Sequence, residues 1–134
     1  MTLKLDVSTA VEQVWDSEVQ EVILSTNSGK IGILPDHKDI LTGLDIGLAK
    51  ARIDNQWIVI TIFGGIAEIR NNQVTIVTVE AQKATDIDLE EAKSNFSIAQ
   101  QKLSQATSLK EQIEATLILD KAKVRLEAAE TIVA

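Results

Sequence analysis

The sequence predicts an α+β chain that is mainly β: an antiparallel β-sandwich over residues 1–84, then an antiparallel two-helix hairpin over residues 85–134. Three observations predict it. All six Gly and the single Pro lie between Gly29 and Gly65, where turns are needed. Val, Ile and Thr supply 28 of the first 80 residues but 11 of the last 54, whereas Ala runs 4 against 10. β-branched side chains suit a pleated surface, and Ala-rich sequence without Gly or Pro favours helix. Finally, the spacing of apolar residues changes from two to alternating three and four at about Ala81–Asp86, which marks the boundary.

In the first half, Leu3, Leu5 and Val7 alternate with Lys4, Asp6 and Ser8, the pattern of a strand with one dry face. Val19–Ser25 reads as a strand that turns at Asn27-Ser28-Gly29 into Lys30–Leu34, and Pro35 then removes a ladder donor. Ala49, Ala51 and Ile53 alternate with Lys50 and Arg52, and Asp54-Asn55-Gln56 turns the chain into Trp57–Phe63. That segment is apolar on both faces, so it belongs at the centre. Gly64-Gly65 is expected to break it before Ile66–Arg70, with Asn71-Asn72 as a tight turn into Val74–Val79. About seven short strands separated by turn signals argue for an antiparallel sandwich or flattened barrel. Trp15 and Trp57 are expected to anchor its core.

Two helix starts stand out in the second half. Asp88 with Glu91, and Ser108 with Glu111, have the spacing of capping boxes. Leu89, Ala92, Phe96, Ala99, Leu103 and Ala106 form one seam with a 3.5-residue period. Ala115, Leu119, Ala122, Leu126, Ala129 and Val133 form a second, and a turn at Thr107 and Ser108 joins the two as a hairpin. On the second helix, Ile113, Leu117 and Val124 fall within about 40° of one another and roughly opposite the seam. A hairpin alone cannot cover both faces, so the second must lie against the β unit, a partner, or each in turn.

Composition narrows the chemistry. The longest apolar run, Trp57–Ile60, is far short of the roughly 20 residues that cross a bilayer, and the first twenty residues carry neither a secretory nor a transit pattern. No Cys removes thiol catalysis and thiolate metal sites, and one His leaves little for zinc. The net charge of -7 is spread, with 6 basic against 11 acidic residues over 1–80 and 7 against 9 beyond, which makes nucleic acid a poor partner. Gly64-Gly65 lacks the Lys and Ser/Thr of a phosphate loop and reads as a bulge or bend. His37 has two roles open to it, a sensor of a proton gradient or, more commonly for a lone loop histidine, a surface hydrogen-bonding group. Asp36, Asp39 and Asp45 stand near one loop and leave a carboxylate-dependent hydrolase as an outside reading, without a nucleophile at a fixed relation to them. A sandwich module that self-associates through its hairpin is the other alternative.

One stretch is more specific. Val14-Trp15-Asp16-Ser17-Glu18-Val19, continuing through Ser25-Thr26-Asn27-Ser28-Gly29-Lys30-Ile31-Gly32-Ile33-Leu34-Pro35-Asp36-His37, resembles the ε subunit of F-type ATP synthase, most closely its chloroplast form. The likeness continues in Leu44-Asp45-Ile46-Gly47, Gly64-Gly65-Ile66-Ala67, Asp86-Ile87-Asp88 and Lys121-Ala122-Lys123-Val124-Arg125-Leu126, so it covers essentially the whole chain. It implies a non-catalytic rotor subunit without cofactor or metal, attached through its complex to the stromal side of the chloroplast thylakoid membrane, with a cyanobacterial thylakoid membrane as the alternative. The sandwich would bind the γ subunit and the c-subunit ring, with Ser28, Gly29, Lys30, Ile31 and His37 as the contact loop. The hairpin would restrain ATP hydrolysis by extending along γ toward the catalytic α/β subunits, with Ile113, Leu117, Lys121, Lys123, Val124 and Arg125 as its contacts. A seam rich in alanine suits a switch: at about 0.8 kcal/mol per buried CH₂, small side chains keep two arrangements within reach of a ligand or rotor position.

Three departures qualify the resemblance. Lys38-Asp39 replaces an Ala-Pro pair, which frees the loop backbone and adds charge. Asp120-Lys121 replaces a pair of Arg, so residues 108–130 hold 4 basic against 5 acidic side chains and attract an acidic segment less. Ile87-Asp88-Leu89-Glu90-Glu91-Ala92 carries Glu91 where ATP-binding bacterial relatives have an Arg, and no useful ATP sensing is expected.

Overall fold

A computed structural model describes residues 1–133, which form two compact units divided between Lys83 and Ala84. The first unit is built on one long hairpin, β5 (Ile40–Ile53) and β6 (Gln56–Arg70), closed by a tight turn at Asp54 and Asn55. Both turn residues have positive φ, 48° and 67°, which Asp and Asn tolerate because their short side chains bond locally. Pairing beyond this hairpin differs along its length. The Gly65–Arg70 half of β6 pairs with β7 (Gln73–Thr78), which leads on to β1 (Leu3–Ser8) and β2 (Gln13–Val19). Ile60–Ile62 of β6 pairs with β8 (Ala81–Lys83), while the far half of β5 pairs with β3 (Glu21–Thr26) and then β4 (Gly29–Ile33). The result is a sandwich of eight strands with one core. Leu5, Val7, Ile69, Val74 and Ile76 meet Val22, Leu24, Ile33, Ala51 and Ile60 there, all nearly or fully buried.

The hairpin changes layer without breaking. Gly64 and Gly65 have φ of 84° and 145°, yet β6 keeps its partners, with Leu44 opposite Gly65 and Gly65 opposite Thr78. The expected break at Gly64-Gly65 is therefore a bend inside one 15-residue strand. Gly65 is required twice over: its φ favours glycine, and a Cβ there would stand 2.2 Å from the Val77 carbonyl oxygen. Absence of a side chain is what lets β7 approach the bend.

Three further features differ from the sequence reading. β1 pairs with β7 in parallel, the single exception among the described residues to an otherwise antiparallel arrangement. Turn signals report only on strands that follow one another, and these two are far apart in the chain. β5 begins at Ile40 rather than near Ala49, because its first half carries both Gly43 and Gly47 and hides its alternation. Trp57 is 43% exposed, opposite Arg52 beside the β5–β6 turn, and does not anchor the core. Trp15 does pack against it, its indole N–H donating to Ser17 Oγ at 2.8 Å.

In the second unit, one turn of 3-10 helix at Ala84–Asp86 precedes α1 (Leu89–Gln105) and α2 (Leu109–Val133), which pack as a hairpin. Asp88 caps α1 by accepting from the Glu91 N–H at 3.1 Å, and Ser108 Oγ accepts from the Glu111 N–H at 3.1 Å. These bonds satisfy amides that a helix start would otherwise leave bare. Both seams run as expected: Ala92, Ala99, Ala115, Ala122 and Ala129 are buried, and Leu89, Phe96, Leu103, Leu119 and Leu126 are half-buried. The side chain of Val133, the last seam position, lies outside the described part of the structure.

Gly65→Ala is expected to destabilise the chain by about 1–3 kcal/mol, the range for a side chain forced into a disfavoured backbone region. Denaturant unfolding followed by tryptophan fluorescence measures it, and an unchanged midpoint would show that the bend accommodates a Cβ. Ser108→Ala is expected to cost about 1 kcal/mol through the lost cap, read as faster amide exchange over the first turn of α2.

Candidate functional site

Two surfaces carry the residues singled out in the sequence. The first surrounds the β3–β4 hairpin. Buried Thr26 builds its turn, accepting from the Ser28 N–H at 3.2 Å and donating to the Gly29 carbonyl at 2.6 Å. Ser28, Gly29 and Lys30 are thereby held exposed at the tip, while Ile31 turns inward against the core. The turn leans on β5, where the Asn27 N–H donates to the Gly43 carbonyl at 3.3 Å. A Cβ on Gly43 would strike the Asn27 side-chain amide at 2.4 Å, so this glycine is the space the turn occupies.

His37 does not join this group. It follows β4 at the opposite end of the strand, half-buried, with Nδ1 2.7 Å from the Lys38 carbonyl oxygen. A ring nitrogen this close to a carbonyl must carry the proton, so His37 acts there as a hydrogen-bond donor. The preceding residue, Asp36, has φ 68° and is held by a two-way clasp. Its N–H donates to Asn72 Oδ1 at 2.6 Å and its carboxylate accepts from Asn72 Nδ2 at 3.3 Å. The clasp ties the β4–β5 loop to the β6–β7 turn, and nothing in the sequence linked two residues 36 positions apart.

The carboxylates of the hydrolase reading are spread out. Asp36 is in the clasp, Asp39 is exposed in the loop, and Asp45 is exposed on β5 at its bend. Among the described residues no three of His, Asp and Glu are placed to hold a metal ion. A surface that the sequence reading missed lies on the same sheet. Ile66 and Val77 are cross-strand neighbours, 55% and 57% exposed, and Leu41 nearby is 70% exposed. The available signal was phase: Ile66 is apolar but out of step with the inward Ala67 and Ile69, as Val77 is with Val74 and Ile76.

The second surface is the outer side of α2. Ile113 and Leu117 are 54% and 50% exposed, with Leu109 beyond them still more open. Val124, expected on the same open face, is buried, as is Ala128 one turn on. The apolar stripe is thus open only along the first half of the helix. Lys123 is exposed, whereas Lys121 and Arg125 are half-buried and each has an interaction of its own, so the three cations do not form one outward patch. The sequence placed all six residues on the helix correctly but could not tell which half is covered, since angle carries no information about position along the axis.

Comparison with known proteins gives these surfaces a context. Residues 2–84 match the family model of the ATP synthase Delta/Epsilon chain β-sandwich domain, and residues 85–130 that of its long α-helix domain. The chain belongs to the delta/epsilon family of ATP synthase subunits. Within that family it is similar to the chloroplastic ATP synthase epsilon chain of Staurastrum punctulatum, 55% identical over 96% of this chain and 93% of the relative. The corresponding chains of Huperzia lucidula (54%, over 96% of this chain and 93% of that one) and Nymphaea alba (48%, over 98% of both) are similar to it as well. Among solved structures, a chain of the Euglena gracilis mitochondrial ATP synthase assembly of OSCP, F1 and c-ring matches with a TM-score of 0.82 and 26% identity. That match covers 96% of this chain and 81% of that one. These relatives define an epsilon-type subunit of the ATP synthase complex. Among the described residues no helix is long and apolar enough to cross a membrane.

Ile113→Ser together with Leu117→Ser is expected to leave the stability of the isolated chain within about 0.5 kcal/mol per site, as for surface positions. Thermal unfolding checks this, and a larger loss would mean that these side chains already have a covering within the chain.

Proposed function

We propose that this subunit couples rotation driven by proton flow to ATP synthesis on the stromal side of the chloroplast thylakoid membrane, and that its hairpin restrains ATP hydrolysis. The sandwich binds the γ subunit and rests on the c-subunit ring through the β3–β4 tip at Ser28, Gly29 and Lys30. Ile31 stiffens that tip from beneath, and His37 with the Asp36–Asn72 clasp shapes the far end of the same strand. The hairpin bears on γ and the catalytic α/β subunits through Ile113, Leu117 and Lys123, with Lys121, Val124 and Arg125 supporting that stretch of helix.

The observation that carries this reading is the open apolar stripe Leu109–Ile113–Leu117 on a chain that matches the ATP synthase delta/epsilon family over residues 2–130. Large apolar side chains half in water lose nothing structural if a partner covers them and gain burial energy when it does. A face covered in one arrangement and open in another is what a ligand- or position-dependent switch requires. The alanine seam fits as well, because buried side chains this small hold α1 to α2 while removing little apolar area from water.

Reconstitution tests both halves of the proposal. Added to a synthase complex stripped of this subunit, the wild-type chain is expected to lower the ATPase rate and restore proton-driven synthesis. The Ile113→Ser, Leu117→Ser double variant is expected to restore synthesis but hold the brake about tenfold less tightly, or ~1.4 kcal/mol. Equal inhibition by the variant and the wild type would remove these two residues from the contact.

A further inference from the structure

Residues 79–83 connect the last full strand of the sandwich to the start of the second unit, and they are fastened in an unusual way. β8 has three residues, and so short an edge strand has few ladder bonds to resist fraying. Two fully or nearly buried threonine hydroxyls reinforce it. Thr61, 0% exposed, donates from Oγ1 to the Gln82 carbonyl at 3.1 Å and accepts from the Gln82 N–H at 3.1 Å. Thr78 Oγ1 lies within donor reach of the Gly64 carbonyl and, at 3.1 Å, of the Glu80 carbonyl, which also accepts from the Phe63 N–H at 3.0 Å. At the end of the strand Lys83 Nζ sits 5.7 Å from the centroid of the Trp15 ring, a cation–π distance. Immediately beyond Lys83 the chain enters its second compact unit, and the two family domains divide one residue later, between Ala84 and Thr85.

We propose that residues 79–83 are a clamped strap, which stays fixed to the sandwich while the hairpin rearranges, so that the pivot of the regulatory motion is the 3-10 turn at Ala84–Asp86. The proposal rests on the reading that the hairpin moves. The physical reason for such a clamp is reach. If β8 peeled away, three residues would add up to about 10 Å of slack at roughly 3.3 Å per residue. A slack tether lowers the effective concentration of the hairpin at its docking surface. Thr61 is well placed to prevent this because one side chain holds both backbone groups of the middle residue of β8. Its alternative, a β-branched apolar residue such as Val, would fill the same space without the two bonds.

Native-state amide exchange on the full chain, free and within the reconstituted complex, tests the proposal with wild type, Thr61→Val, Thr61→Ser and Lys83→Gln. In the wild type the Gln82 amide is expected to exchange at least about 100-fold more slowly than the exposed Thr85 and Asp86 amides. This difference should persist in the complex both with and without ATP. Thr61→Val is expected to speed exchange at Gln82 by about tenfold and Thr61→Ser to restore it, while Lys83→Gln gives a smaller change confined to 81–83. These factors correspond to one to two tenfold steps in an opening equilibrium. The proposal is overturned if Gln82 exchanges as fast as Asp86 in wild type, if its protection vanishes together with that of 84–88 when ATP is added, or if Thr61→Val leaves it unchanged. Failure of the braking reading has a different signature: the Ile113→Ser, Leu117→Ser variant would inhibit like wild type, whatever happens at Gln82.

Discussion

The sandwich depends on one constraint, that two long strands must serve both of its layers. β5 and β6 stay paired with each other over almost their whole length, and their outer partners change where the backbone bends at Gly64-Gly65. The surface features of the sandwich are tied to the strands that meet at that bend. The β3–β4 tip leans on Gly43 one strand over, Val77 passes within reach of Gly65, and the strap to the second unit is tied to Gly64 through Thr78. A molecule built this way tolerates little change at two glycines and considerable change on its outward strand faces.

Its second unit works on the opposite principle. α1 and α2 meet through alanines, whose burial contributes little per residue, while the larger seam side chains are only half covered. Capping bonds at Asp88 and Ser108 supply definition at the helix starts that packing alone would not. The hairpin therefore has a sharply specified local structure and a modest hydrophobic investment, as the proposed brake would require.

The sequence was most legible where physics is local. Turns at Asn27–Gly29, Asp54-Asn55 and Asn71-Asn72, both caps and both seams follow from residue types at short spacing, and all are present. What escaped depends on distant partners. The parallel pairing of β1 with β7, the clasp between Asp36 and Asn72 and the hold of Thr61 on Gln82 join residues whose nearness is set only once the sheet is closed. Gly64-Gly65 shows the boundary between the two cases. Its ability to break a strand was visible, but the neighbours that keep the ladder intact around it were not. Site residues follow the same rule, since helical angle located Ile113 and Leu117 on an open face and gave no warning that Val124 is covered.

The parallel pair also bears on how the molecule comes into being. Lys4 lies beside Gln73, sixty-nine residues later, so the chain's first strand has no inner neighbour until nearly all of the sandwich has been synthesised. Closing so distant a contact is slow compared with zipping a hairpin. A nascent chain leaving the ribosome thus carries a β1–β2 ribbon whose one apolar face, at Leu3, Leu5 and Val7, stays uncovered for most of its emergence, and that face is where shielding by a chaperone would matter most.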